Sequence, residues 1–271
     1  MEIYETLDLI KWGEKELLKS GVECALHDAN TLMCYSQDAD SFRNCIEKRV
    51  SRYPLQYILK ETDFMNARLK MEDGVFIPRP ETEILVEKAL EVISNIASNT
   101  INTLEIGTGS GNIAISLTKN ITNCKIIASD ISDLAIKTAR ENAAVNLVSD
   151  RVKFVKSDLF RDIPRTYYSY FDIIISNPPY IRRGKIADLE PEISYEDIRA
   201  LDGGWDGLDF YRQILDEGRK YLKAGGVFLF EIGHDQGEAI FKITKQYQEL
   251  NGFKLFKDYN GCDRVVIAWI S

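Results

Sequence analysis

Histidine is nearly absent: His27 and His234 are the only two in 271 residues, and neither lies in a recognisable catalytic or ligand motif. Chemistry built on a histidine base or a histidine metal centre is therefore not expected. Cysteine is sparse too. Cys24, Cys34, Cys45, Cys124 and Cys262 are odd in number, widely spaced and without a Cys-x-x-Cys pair, which suggests neither a zinc site nor a disulfide framework and points to a reducing, cytoplasmic setting. Basic residues are outnumbered, 34 Lys and Arg against 42 Asp and Glu for a net charge of -8. Such a surface repels phosphates, so direct binding of nucleic acid is not expected without a segregated basic patch. No stretch approaches the roughly 20 apolar residues of a membrane span. The acidic start Met1-Glu2-Ile3-Tyr4-Glu5 is unlike a signal peptide. Neither a membrane nor a targeting signal is expected, and a monomer is the default.

What is present is an ordinary globular composition, 45% hydrophobic and 28% charged, in a chain long enough for one large domain and a small one. Leu7, Ile10, Leu17 and Leu18 fit one helix face, Ala25, Leu26, Leu32 and Met33 continue the style, and Phe42, Ile46 and Val50 suggest another helix. Residues 1–65 therefore read as a small helical domain. Residues 66–80 read as a β-hairpin linker, because Phe64 to Met71 alternates loosely, Asp73-Gly74 is a turn signal and Val75-Phe76-Ile77 is a second short β-like run.

Residues 81–271 have the rhythm of an α/β domain. Strands are expected over Asn102–Ile106, Lys125–Ser129, Val152–Val155, Asp172–Ser176 and Val227–Ile232, and helices over Ile113–Lys119, Leu134–Asn146 and Tyr211–Leu222. Short apolar strands alternating with helices imply a mostly parallel, doubly wound sheet. Phe253–Asp258 and Arg264–Ile270 leave no room for a helix between them, so an antiparallel hairpin is expected to end it.

Glu105-Ile106-Gly107-Thr108-Gly109-Ser110-Gly111 follows a strand and opens a helix, where backbone N–H groups converge on a ligand. The Gly-x-Gly-x-Gly spacing differs from the pyrophosphate cradle Gly-x-Gly-x-x-Gly. The acidic Glu105 would repel a dinucleotide phosphate but suits a cationic sulfonium. Asp130 ends the next strand, where a carboxylate can accept from both ribose hydroxyls. Together these favour S-adenosyl-L-methionine over a dinucleotide. Asp158 and Leu159 or Phe160, at the end of the third strand, would meet the adenine.

Asn177-Pro178-Pro179-Tyr180 follows an apolar strand and so belongs at the same sheet edge. The two prolines fix φ and remove two N–H donors, freeing nearby carbonyls to accept from a substrate. A planar NH2 conjugated to a carbonyl or a ring is a poor nucleophile because its lone pair is delocalised. Pinning both of its hydrogens, on the Asn177 side-chain oxygen and the Pro178 carbonyl, would aim that lone pair at a methyl donor, with Tyr180 stacked on the plane. Adenine and glutamine fit this description equally well.

The chain resembles the HemK-like protein-(glutamine-N5) methyltransferases of peptide chain release factors, through Tyr53-Pro54-Leu55-Gln56-Tyr57-Ile58, Phe76-Ile77-Pro78-Arg79-Pro80-Glu81-Thr82-Glu83, Glu105 to Gly111, Asn177 to Tyr180, Glu231-Ile232-Gly233 and Arg264-Val265-Val266. The Pro-Arg-Pro-Glu-Thr segment discriminates most, because adenine methyltransferases share the Asn-Pro-Pro-aromatic signature without it. The resemblance implies a seven-stranded class I methyltransferase sheet and a helical N-terminal domain that helps grip the release factor. It implies transfer to the glutamine of a Gly-Gly-Gln loop, with S-adenosyl-L-homocysteine as by-product. By position, Gly107, Thr108, Gly109, Ser110, Gly111, Asp130 and Leu159 would contact the donor and Asn177, Pro178, Pro179 and Tyr180 the glutamine, with Phe76, Arg79 and Thr82 lining the pocket between them. Family members often carry an aromatic residue where this chain has Leu159. The runner-up is an N6-adenine methyltransferase of DNA or RNA, which would use the same Asn177 constellation on a flipped adenine; the acidic net charge disfavours it, although Arg182, Arg183 and Lys185 form a small basic cluster just after the site. A ribosomal protein as the glutamine acceptor, and a non-catalytic donor-binding protein, are further alternatives.

Overall fold

The computed structural model describes residues 3–271. Its N-terminal part is helical: α1 (Ile3–Lys19), α2 (Ala25–Tyr35), α3 (Ala39–Val50) and the short α4 (Leu55–Leu59). Helix α3 starts at a reciprocal capping box between Asp38 and Ser41. Leu17, Ala29, Leu32, Phe42 and Ile46 make a separate small core there.

A hairpin follows, earlier than the sequence suggested. It pairs β1 (Glu61–Phe64) with β2 (Ala67–Lys70), turning at Met65 and Asn66 with Met65 at φ 49°. The stretch Val75-Phe76-Ile77, expected as its second strand, pairs with no strand. Its backbone is held by side chains instead: the Tyr57 hydroxyl donates to the Val75 carbonyl at 2.7 Å, and the Ile77 N–H donates to Glu196 at 3.2 Å. Side-chain partners distant in sequence here outcompete the local alternation.

After α5 (Glu81–Ser94), the sheet strands are β3 (Ile101–Ile106), β4 (Cys124–Asp130), β5 (Val152–Lys156), β6 (Phe171–Ser176), β7 (Leu222–Glu231), β8 (Leu250–Lys257) and β9 (Asp263–Ile270), in the order β5-β4-β3-β6-β7-β9-β8. β9, inserted between β7 and β8, runs antiparallel to both, while the other six strands of the sheet run in one direction. This is the class I methyltransferase fold. Helix α8 (Asp209–Gly218) is shorter than expected: Leu222 already belongs to β7, which carries Gly225 and Gly226. Helices α6 (Asn112–Asn120) and α7 (Asp133–Val145) join α5 on one face, and α8 and α9 (Gly237–Thr244) cover the other. Alternation places Ile173 and Ile175 in the first core and Ile174 in the second, while a register shift between Phe171 and Ile173 brings Phe171 into the second core as well. Among the described residues no helix is long and apolar enough to cross a membrane.

The chain leaves β3 toward β4 and β5 and then returns to β6 on the other side of β3. Such a reversal splays the connections apart and leaves a crevice beyond the carboxyl ends of the strands.

Candidate active site

Ile106 pairs with Ser129 on one side and with Ser176 on the other. Gly107, Asp130 and Asn177 therefore leave three neighbouring strands at one edge. They line a cavity of about 450 Å³, in the size range of small-molecule sites.

Gly107 (φ 76°) and Gly109 (φ 54°) turn the loop through left-handed backbone, which glycine adopts without the usual Cβ penalty. A Cβ on Gly107 would meet nothing within 4 Å, so the loop faces open space instead of packed core. Asp130 ties this loop to the end of β4 by accepting from the N–H groups of Gly109 and Ser132, both at 2.9 Å. Burial raises its pKa and the two N–H groups oppose that. Each carboxylate oxygen keeps a second lone pair for a ligand. Asp158 and Leu159 line the cavity beyond β5, Leu159 at φ 50° with its carbonyl accepting from the Ser157 hydroxyl at 2.8 Å. Phe160 turns away and stacks on Tyr221 at 5.1 Å. The apolar wall is completed instead by Ile131, which the sequence did not single out.

Three residues expected at a donor lie behind the loop. Gly111 does not border the cavity; its missing side chain lets α6 approach α7, since a Cβ there would sit 3.1 Å from that of Ala139. Ser110 is buried with its hydroxyl unpartnered. Glu105 is wholly buried, accepts from the Thr108 hydroxyl at 2.9 Å and has no partner for Oε1. Burial pushes its pKa up to about 8. It braces the loop from beneath, because its position in β3 aims the side chain into the face covered by α6.

Asn177, Pro178, Pro179 and Tyr180 all line the cavity. The Asn177 side-chain N–H donates to the Thr82 hydroxyl at 3.1 Å, which leaves Oδ1 as the uncommitted end of the amide. Thr82 itself is buried in the first turn of α5 and borders Asn177, not the cavity. The Tyr180 hydroxyl donates to Glu231 at 3.2 Å, and the Tyr180 carbonyl accepts from Gln236 at 3.0 Å. Gly203 presses on this backbone so closely that a Cβ would come within 2.7 Å of Tyr180 Cα. On the facing wall, Arg79 lies 5.1 Å from the centre of the Phe76 ring and pairs with the buried Glu196. Gly203, Gln236, Glu196 and Glu231 were not assigned roles from the sequence, because each acts on a motif contributed by a distant element.

A family model described as a methyltransferase domain matches residues 97–262. A release factor glutamine methyltransferase of Thermodesulfovibrio yellowstonii is 41% identical over 233 residues, covering 86% of this chain and 82% of that protein. The protein of the same name from Fusobacterium nucleatum is 36% identical, covering 97% of this chain and 78% of its own. The chain belongs to the release factor glutamine methyltransferases. In fold, this family member is also similar to a methyltransferase from Pyrococcus furiosus, with a TM-score of 0.55 at 20% identity over 79% of this chain and 93% of that one.

In this methyltransferase the segment after the Asn-Pro-Pro-Tyr motif bridges cavity and helices. Glu192 accepts from Arg52 at 2.6 Å and from Arg49 at 2.8 Å, while Arg49 also pairs with Asp28 at 2.8 Å. Tyr195 packs edge-on against Tyr53 at 5.0 Å. Two and four residues later, Asp197 and Arg199 reach the cavity wall. The charges of the basic cluster are paired at the surface: Arg182 with Asp235, Arg183 with Asp202 and Lys185 with Asp188. Among the described residues no cluster of His, Cys, Asp or Glu could hold a metal ion.

Proposed function

We propose that the protein transfers a methyl group from S-adenosyl-L-methionine to the side-chain amide nitrogen of the glutamine in the Gly-Gly-Gln loop of peptide chain release factors, in the cytoplasm. The observation that carries this reading is the orientation of Asn177: with its N–H end committed to Thr82, it presents an acceptor, the group a substrate NH2 requires. Membership of the release factor glutamine methyltransferases favours an amide over adenine as the bearer of that NH2.

The residues present fit the donor. The open cradle at Gly107 admits the chain end of a ligand, Asp130 offers lone pairs to ribose hydroxyls, and Leu159 and Ile131 supply apolar cover for a base. Asp130, Asp158, Asp197 and Asp202 outnumber Arg79 and Arg199 on the wall, which suits a cationic ligand. When bound, the sulfonium supplies an already activated methyl group. The protein's task is then to position the nitrogen and exclude water, with no strong base needed at the start. Asn177 Oδ1 and the Pro178 carbonyl would each hold one N–H of the glutamine amide. Tyr180 would limit its plane, and Phe76 with Arg79 would close the other side. The helical region, residues 1–65, together with the linker 66–80, would contact the body of the release factor, and residues 81–271 would carry the reaction.

The test is incubation of the protein with labelled donor in three parallel mixtures: release factor, ribosomal protein and oligonucleotide. Label on the Gly-Gly-Gln glutamine, located by mass mapping, is the expected result. Label confined to adenine, or to a ribosomal protein, would overturn it.

A further inference from the structure

Beyond the clamp itself, the buried end of β7 carries a group that the reaction as described leaves unused. Glu231 is wholly buried, yet it meets Tyr180 directly and lies close to Thr82, the residue that holds Asn177. Its Oε1 accepts from Tyr180, and its Oε2 has no hydrogen-bond partner. The Thr82 hydroxyl acts on the same carboxylate, drawing its pKa down. Thr82 Oγ1 is already an acceptor for Asn177, so its own proton is free for the unpartnered oxygen.

We infer that Glu231 is a positioning residue that sets the polarity of the clamp, through the relay Asn177 N–H to Thr82, Thr82 O–H to Glu231. A carboxylate can only accept. It therefore fixes Thr82 as donor toward β7 and acceptor toward Asn177, which fixes Oδ1 of Asn177 as the end left for the substrate. A proton or an amide NH2 at position 231 reverses the relay: Glu231 donates to Thr82, Thr82 donates to Asn177, and the Asn177 amide turns its NH2 toward the substrate NH2. Two donors then face each other and the nucleophile is released from its alignment. This inference rests on the proposed transfer to an amide nitrogen.

The surroundings put the switch within reach of ordinary pH. Burial pushes Glu231 up to about 7, opposed by Thr82, Arg264 and Tyr180, with Glu81 adding to the rise. Tyr211 donates to its backbone carbonyl at 2.8 Å, and Arg264 is shared with Asp258 at 3.1 Å. The relay is intact above that pKa and inverted below it, so turnover should fall on the acid side.

The experiment compares wild type, Glu231→Gln, Thr82→Val, Thr82→Ser and the Glu231→Gln/Thr82→Val double variant in methylation of a release factor, with donor affinity by calorimetry and folding by thermal melting. Expected is a fall in kcat of about 10-fold or more in Glu231→Gln and in Thr82→Val, with donor Kd unchanged. Thr82→Ser, which keeps the hydroxyl, should retain turnover. The double variant should be no worse than either single one, because one relay cannot be broken twice. The acid limb seen in wild type should vanish in Glu231→Gln. Additive losses, or an unaltered pH profile in Glu231→Gln, would overturn the relay while leaving the proposed activity standing. Should Glu231→Gln not fold, the contrast between Thr82→Val and Thr82→Ser decides, and equal kcat in those two refutes it. Failure of wild type to label glutamine at all would remove the activity and the relay together.

Discussion

Asn177 donates to the hydroxyl of Thr82, 95 positions away in sequence, at 3.1 Å. One bond thereby joins the Pro-Arg-Pro-Glu-Thr segment to the Asn-Pro-Pro-Tyr loop, the two motifs that define the resemblance. An asparagine side chain has a donor end and an acceptor end of nearly equal size, and only its partners decide which faces outward. Asn177→Asp keeps the shape but has no N–H for Thr82. The expected result is a drop in kcat of about 100-fold, with donor affinity by calorimetry close to wild type. Loss of donor binding in parallel with turnover would show that Asn177 serves the donor first.

Asp130 has a different signature. Its carboxylate holds Gly109 and Ser132 and retains a lone pair on each oxygen for a ligand in the cavity it lines. Asp130→Ala should cost about 1–3 kcal/mol of folding stability by stranding two N–H groups. Beyond that, it should weaken donor binding about 10-fold or more, by removing the acceptor proposed for the ribose hydroxyls. Urea unfolding and calorimetry separate the two effects. An unchanged donor Kd would reassign Asp130 to loop support alone.

The sheet was legible because its central strands are largely apolar and buried, as in Asp172–Ser176, while Lys125–Ser129 sets exposed Lys125 beside buried Ile126, so both read as strands without tertiary information. So was the edge that carries Gly107, Asp130 and Asn177, which follows from strand-to-helix order. The hairpin was misplaced because Val75-Phe76-Ile77 has the composition of a strand while its hydrogen bonds come from Tyr57 and Glu196. The segment between Ile181 and Asp202 was illegible for the same reason. It folds into short 3-10 turns, one of which, Pro191–Tyr195, is anchored through Glu192 to Arg49 and Arg52, about 140 positions earlier. Local pattern reports what a residue repeats beside its neighbours, and these contacts repeat nothing.

Gly203 tests how tightly the proposed acceptor clamp is held. Its ideal Cβ would lie 2.7 Å from Tyr180 Cα and 2.8 Å from the Pro179 carbonyl oxygen, both backbone atoms that cannot rotate aside. Gly203→Ala should therefore push the Asn-Pro-Pro-Tyr backbone outward, at a cost of about 1–3 kcal/mol in stability. Turnover should fall more than donor affinity, because Gly107 and Asp130 belong to other strands. Wild-type kcat and Tm in this variant would mean that the loop yields without consequence.

Glu105 makes the most distinctive prediction, because it concerns stability instead of turnover. Burial raises its pKa from an ordinary 4.5 to about 8, with Asp130 adding to the rise and Thr108 opposing it. Between those two values the native protein holds a proton that the unfolded chain has released. The native state then binds more protons than the unfolded one, so the stability Glu105 contributes is complete below about 4.5 and is lost as pH rises toward 8. Glu231 acts in the same direction up to about 7. Glu105→Gln keeps an oxygen to accept from Thr108 and has nothing to ionise. Its stability relative to wild type should accordingly rise with pH across this window, by an amount on the order of a few kcal/mol. Urea unfolding of both proteins at pH 5 and pH 8 measures the difference directly. A stability gap that stays constant between those pH values would mean that Glu105 ionises in the native protein as readily as in the unfolded chain, and its place beneath the glycine loop would need another explanation.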